Sequence, residues 1–202
     1  MSKPVRRSIL AFGLAAIAAA LVVLAVRLYL DNREAADAGL GRAAIGGPFT
    51  LVDHNGRTVT DADYRGKLLL VFFGYTYCPD VCPTELQNLT LALEDLGKDA
   101  GSRVQGLFIT VDPGRDTPQA LKEYLSNFHP AITGLTGTPE QIAAAARTYK
   151  AYYARAKGEG DVYLMDHSAF LYLMDRKNEY VAHFRPGVAT ADIVAGVKKA
   201  LR

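Results

Sequence analysis

Six consecutive apolar residues, Leu68 to Phe73 (LLLVFF), run through Gly74-Tyr75-Thr76-Tyr77 into Cys78. A run this short and uninterrupted matches a strand covered on both faces. The segment beyond Cys78 is equally constrained. Pro79 and Pro83 sit only before a helix or in its first turn, because proline lacks the N–H that a helix interior uses. Beyond them Leu86, Leu89, Leu93 and Leu96 recur at helical spacing. A buried strand that turns into a helix through a pair of cysteines points to a mixed α/β architecture.

The rest of the chain continues the alternation. Phe49 to Val52 and Thr58 to Thr60 flank Asp53-His54-Asn55-Gly56, a hairpin signal. Leu107 to Val111 is a second buried strand, and Leu121, Tyr124, Leu125 and Phe128 form a helical face after Thr117-Pro118. Ile132 to Leu135 is a short strand. Thr138-Pro139-Glu140-Gln141 then combines an N-cap, a proline and a capping-box glutamine ahead of Ile142, Ala145, Ala146 and Tyr149. Ala169 to Met174 and Tyr180 to Phe184 are strands around an Asp175 to Glu179 turn, and a last helix from Thr190 buries Ile193, Val194, Val197 and Leu201. The order is β-hairpin, βα, βα, short βα, β-hairpin, closing helix. With a cysteine where the strand meets its helix, and a terminal ββα, this is how a thioredoxin-like α/β domain reads, enlarged by an N-terminal hairpin and an inserted helix.

Ahead of this domain, Ile9 to Val26 is an 18-residue run without a charge, about 27 Å long as a helix. Arg27, Leu28, Tyr29 and Leu30 extend and anchor it, and Lys3, Arg6 and Arg7 precede it. The expected layout is a cytoplasmic N-terminus over 1–8, one transmembrane helix over 9–30, a linker over 31–48 and the folded domain over 49–202. The positive-inside rule then places the domain in the periplasm, or in the intermembrane space of a mitochondrion. A cleaved secretory signal, with Arg6-Arg7 as a twin-arginine pair, is the competing reading, and it exports the domain too. Charge divides along the same boundary. Of 23 basic side chains four lie in residues 1–30, which hold no acid, so the remainder carries 19 against 21 acidic, a balance of −2. That excludes a strongly basic nucleic-acid binder, and a 50% hydrophobic content excludes disorder.

Only two cysteines occur, Cys78 and Cys82, too few to staple a small fold. They lie at the carboxyl end of a buried strand, where open α/β sheets place their sites. The helix N-terminus there favours thiolate. Four residues apart on a helix, the two side chains share one face with Cα atoms about 6 Å apart, within reach of a disulfide. The pair is therefore suited to oxidation or to metal. One pair falls short of a closed zinc site, and a local disulfide over so short a loop removes little unfolded-state entropy.

Four histidines are present. His54 reads as a solvated turn residue, His129 as a helix-end residue before Pro130, and His183 as a sheet residue alternating with Val181. His167 differs: Met165-Asp166-His167-Ser168 stands immediately before the strand Ala169 to Met174, on a loop entering the sheet. In thioredoxin-like domains that loop faces the cysteine turn and usually carries a cis-proline, yet no proline lies between Pro139 and Pro186. A histidine facing two thiolates makes a soft S2N set suited to Cu(I) and tolerable for Cu(II). Asp112, Arg115 and Asp116 form a charged turn on the same sheet edge, read as helix capping with a local ion pair, or as a docking feature. Tyr75 and Tyr77 are placed to wall the site.

The segment Gly74-Tyr75-Thr76-Tyr77-Cys78-Pro79-Asp80-Val81-Cys82-Pro83-Thr84-Glu85-Leu86 resembles the signature of the Sco/SenC family of copper chaperones for cytochrome c oxidase assembly. Val111-Asp112-Pro113-Gly114-Arg115-Asp116-Thr117-Pro118 agrees with it, as does Asp166-His167-Ser168 followed by Leu171-Tyr172-Leu173. The resemblance implies a membrane-tethered thioredoxin-like domain binding one copper ion through Cys78, Cys82 and His167. It implies service to the dinuclear copper site of oxidase subunit II, as copper donor, as reductant of that subunit's cysteines, or both. Implied partners are subunit II or its assembly factors and a copper-donating protein, with no nucleic acid. Tyr77 departs from the family pattern, where many relatives carry histidine. The rival is a thiol:disulfide oxidoreductase using the same cysteines, with His167 as an acid–base or structural residue. A peroxiredoxin is disfavoured, because Thr76 lies only two residues before Cys78 and the P-x-x-x-T-x-x-C arrangement is absent.

Overall fold

The computed structural model describes residues 22–24, 26–27, 45–156 and 163–202. Residues 44–202 make one compact unit and residues 1–43 another. In chain order the first half of the larger unit holds β1 (Thr50–Asp53), β2 (Thr58–Thr60), β3 (Leu68–Gly74), α1 (Val81–Leu96) and β4 (Val104–Thr110). The second half holds α2 (Pro118–Leu125), β5 (Ile132–Thr136), α3 (Pro139–Thr148), β6 (Tyr153–Arg155), β7 (Met165–His167), β8 (Leu171–Met174), β9 (Tyr180–Phe184) and α4 (Thr190–Ala200).

β3 and β4 are buried at every position, as their sequences LLLVFFG and VQGLFIT require. They pair in parallel, Phe72 opposite Phe108 and Gly74 opposite Thr110, and β5 continues the parallel set beside β4. The β1–β2 hairpin joins the far side of β5, while β8 adds antiparallel to β3 and β9 antiparallel to β8. The resulting seven-stranded order is β2-β1-β5-β4-β3-β8-β9, the mixed α/β thioredoxin-like arrangement that the alternation predicts. β3, which leads into the cysteines, thus runs through the middle of the sheet. That position leaves its carboxyl end little freedom.

Local chemistry fixes the elements around it. In the β1–β2 turn the Asp53 carboxylate accepts the amides of Asn55 and Arg57 at 2.8 and 2.9 Å, and Gly56 takes φ +81°. Thr117 caps α2 by accepting the Ala120 amide at 3.2 Å. Thr138 and Gln141 form the reciprocal capping box of α3. α2 ends at Leu125, before the expected last apolar position, Phe128. There Ser126 Oγ and Asn127 Nδ2 donate to the Glu123 and Tyr124 carbonyls and satisfy the helix end. α1 and α4 lie side by side, tied by Asn88 Nδ2 on the Val188 carbonyl and by the Thr190 hydroxyl on Asn88 Oδ1.

The pair β6–β7 is a two-stranded sheet apart from the other seven strands, where a loop was expected. The apolar run 9–26 lies outside the described residues except for Val22, Val23, Leu24 and Val26, which with Arg27 are helical. Among the described residues no helix is long and apolar enough to cross a membrane. The expected linker lies outside them too, up to residue 44.

Candidate metal centre

Beyond Gly74 the chain turns through Tyr75-Thr76-Tyr77, and the Cys78 amide donates to the Tyr75 carbonyl at 3.3 Å. The helix starts only at Val81, because Asp80 takes the non-helical angles φ −140° and ψ −78°. Cys82 is therefore in the first turn of α1 and Cys78 outside it, which corrects the expectation that both share one helical face. The physical reason is capping. Cys78 Sγ accepts the Cys82 amide at 3.4 Å, so the sulfur takes an orphan donor of the helix N-terminus.

Both cysteines are free thiols, Cys78 half-buried and Cys82 buried. The Cys82 thiol, hydrogen-bonded to Cys78, holds the Cys78 pKa down to about 4, and the amides of Asp80 and Cys82 add to this against the effect of burial. That same bond and burial push the Cys82 thiol up. At neutral pH the pair thus holds one thiolate, on Cys78. Gly74 makes room for Cys82: a Cβ there would stand 2.8 Å from Cys82 Sγ and 2.7 Å from the Phe108 ring.

His167 closes the site from the other side. It is the last residue of β7, paired with Tyr153 of β6, and not on a loop as expected. Strands of three residues are too short to show a period-2 pattern. The imidazole packs edge-on against Phe72 and Tyr75, with ring centroids 6.2 and 5.8 Å apart. Its Nε2 lies 3.3 Å from Cys82 Sγ, and its Nδ1 lies 3.2 Å from the Ser168 carbonyl. A carbonyl only accepts, so Nδ1 is the donor to Ser168, and Nε2 is the nitrogen that faces the sulfurs. Metal-binding histidines are oriented in this way by an acceptor on the far nitrogen. The ligand atoms of Cys78, Cys82 and His167 all lie within 4.8 Å of one another. The three residues singled out from the sequence are brought together.

The surrounding residues divide the expectations. Arg115 Nε pairs with the Asp112 carboxylate, the expected local ion pair. Asp116 caps no helix. It is buried, and accepts the Thr76 amide and hydroxyl at 3.0 and 2.5 Å and the Thr110 hydroxyl at 2.6 Å. Burial raises its pKa against those bonds. Tyr75 is buried and Tyr77 is 62% exposed. Tyr163 gives no signal in the sequence: its hydroxyl donates to Asp112 Oδ1 at 2.8 Å and its carbonyl accepts from Arg115. Partners 51 residues apart leave no local pattern. The other histidines are elsewhere. His54 is half-buried and accepts the Gly134 amide at 3.1 Å, so it ties the hairpin to β5 and is not merely solvated. His129 accepts the Ala131 amide and His183 meets the Tyr180 hydroxyl.

Among the described residues, two sulfurs and one imidazole nitrogen form a half-buried set of three donors at the carboxyl end of β3, suited to a soft metal ion. The model of the SCO1/SenC family matches residues 37–202. Protein SCO1 homolog 1, mitochondrial, of Arabidopsis thaliana is 42% identical over 162 residues, 80% of this chain. The chain spans 48% of that relative's length. ScoI of Bradyrhizobium japonicum, solved with copper bound, is 46% identical with a TM-score of 0.72, covering 77% of this chain and 99% of that one. BsSco, a member of the Sco family of cytochrome c oxidase assembly proteins in which a disulfide switch was identified, is 26% identical with a TM-score of 0.63, covering 76% and 91%. With the cysteine turn and the histidine strand both inside the matched span, the chain belongs to the SCO1/SenC family.

Proposed function

We propose that the chain binds one copper ion through Cys78, Cys82 and His167 and acts as a copper chaperone in the assembly of cytochrome c oxidase, serving the dinuclear copper site of subunit II. The observation that carries this is the convergence of two sulfurs and an imidazole nitrogen within 4.8 Å. Thiolate and neutral imidazole favour Cu(I) and tolerate Cu(II). Three protein ligands leave the ion accessible to an acceptor site, which suits a carrier. Oxidation of Cys78 and Cys82 to a disulfide releases two electrons and the remaining thiol proton to an acceptor and removes both sulfur ligands, so loading and redox state are coupled. The disulfide switch described for BsSco is consistent with this.

In this reading residues 9–30 anchor the chain, the N-terminus is cytoplasmic, and the domain faces the periplasm or the intermembrane space, where a copper-donating protein loads it. A second reading, thiol:disulfide oxidoreductase, is favoured by the asymmetry of the cysteines: a half-buried low-pKa Cys78 as nucleophile beside a buried Cys82. The deciding experiment is copper stoichiometry and affinity of the reduced chain, as wild type and as Cys78→Ala, Cys82→Ala and His167→Ala. One tightly held copper per chain, weakened or lost in each variant, supports the chaperone. No stable copper binding beside a readily reducible Cys78–Cys82 bond overturns it and leaves the oxidoreductase.

A further inference from the structure

The strand pair that carries His167 pairs with no strand of the main sheet. An isolated two-stranded ribbon is marginal in water, so the position of the imidazole depends on what holds β7. From the cysteine side Tyr75 reaches β7 and Arg115 reaches the segment that enters it. The buried Tyr75 hydroxyl accepts the Met165 amide at 3.1 Å, two residues before His167. Arg115 Nη1 donates to the Tyr163 carbonyl at 3.0 Å, and its guanidinium lies 3.7 Å from the centroid of the Tyr163 ring. The same guanidinium is 4.7 Å from the Tyr77 ring and 5.8 Å from the Tyr75 ring, so one cation bridges the cysteine turn and the segment entering β7.

We propose that Tyr75 and Arg115 are positioning residues for His167, which latch β7 onto the cysteine turn and so set how closely the imidazole approaches the dithiol. This role rests on the copper site of the proposed function. Each half of the latch has a distinct chemistry. The Tyr75 bond fixes the backbone of β7, while its ring also walls the imidazole. Arg115 acts through a planar cation that stacks and donates at once, which lysine does not reproduce. A site group held about 1 Å too loosely works poorly, so either half influences the third ligand without touching the metal.

The test uses the full reduced chain as wild type, Tyr75→Phe, Arg115→Lys and Tyr163→Leu, each alone and combined with His167→Ala. Tyr75→Phe keeps the ring and removes the hydroxyl. Tyr163→Leu removes the ring that stacks on the Arg115 guanidinium and serves where Arg115→Lys unfolds. Expected without metal are faster hydrogen exchange of the Met165 amide and shifted His167 ring resonances in Tyr75→Phe. With copper, a Cu(I) affinity lowered by about tenfold is expected, with weakened imidazole nitrogen coupling in the Cu(II) spectrum. Neither change adds to that of His167→Ala. Wild-type exchange, ring shifts and affinity in these variants overturn the latch, as does an equal loss of affinity in the His167→Ala background. Failure of the copper reading itself is separate: wild type then takes up no copper, and the latch stands or falls on exchange and ring shifts alone.

Discussion

His167 Nε2 stands 3.3 Å from Cys82 Sγ, across 85 residues of chain. Replacing it with alanine removes one of three soft donors and leaves the cysteine turn, built from β3 and α1, in place. Copper affinity of His167→Ala is expected to fall by at least about 100-fold, more than second-sphere changes cost. Reduction of the Cys78–Cys82 disulfide by a small dithiol should continue at a similar rate. Competition titration with a copper chelator and stopped-flow reduction measure the two separately. A fall in both together would mean that the histidine supports the turn instead of binding the metal.

The two thiols ionise on opposite sides of their usual range, and alkylation reads this directly. Cys78, held down by its hydrogen bond from Cys82 to about 4, should react with iodoacetamide at a rate that stays flat from neutral pH into weak acid. An unperturbed cysteine slows about tenfold per unit below its pKa of about 8.5. Cys82, pushed up by Cys78 and by burial, should react far more slowly throughout. For stability the sign comes from a depressed folded pKa. The contribution of Cys78 is full above its unfolded pKa and is lost as pH falls through about 4. Reduced wild type should therefore lose stability in acid relative to Cys78→Ser. A Cys78 alkylation midpoint near the unperturbed value would contradict the arrangement.

What the sequence reveals here is what local chemistry writes. The continuous apolar run of β3, the Thr138–Gln141 capping box and the Asp53 turn each declare themselves within a few residues. Cys78, Cys82 and His167 are recognisable by residue type and by their place next to strands. The pairing of β6 with β7 is not, because three residues a side carry no period and the partners meet across a long connection. Tyr75 with Met165 and Arg115 with Tyr163 join residues 90 and 48 apart, and only the folded chain reveals them. Cys78 falls outside the helix for a reason that spacing cannot supply, since its own sulfur serves as the cap.

Gly74 tests how tightly the site is packed. Its added Cβ would meet Cys82 Sγ at 2.8 Å and the Phe108 ring at 2.7 Å, both on buried side chains. Gly74→Ala should destabilise the domain by about 1–3 kcal/mol, the usual cost of overpacking. It should also move Cys82 away from His167 and reduce copper affinity. Urea unfolding beside a copper titration checks both, and wild-type values in each would show that β3 yields at its end.

Asp116 supports the cysteine turn through Thr76, with a contribution that depends on pH. Its carboxylate accepts the Thr76 amide and the hydroxyls of Thr76 and Thr110, so Asp116→Ala leaves the buried Thr110 hydroxyl and the half-buried Thr76 amide without their acceptor. A loss of about 2–4 kcal/mol is expected, given about 1–3 kcal/mol for an unsatisfied buried group. Asp116→Asn keeps one acceptor oxygen and should cost less. Burial raises the folded pKa above the ordinary 3.8, so the stabilising contribution of Asp116 is full below 3.8 and is lost as pH rises through the folded value. The stability gap between wild type and Asp116→Asn should accordingly be widest in acid and narrow toward neutral pH. Urea unfolding of both proteins across that range measures the gap. A gap that widened with rising pH would mean that the charged carboxylate, not the protonated one, is the form that the fold favours.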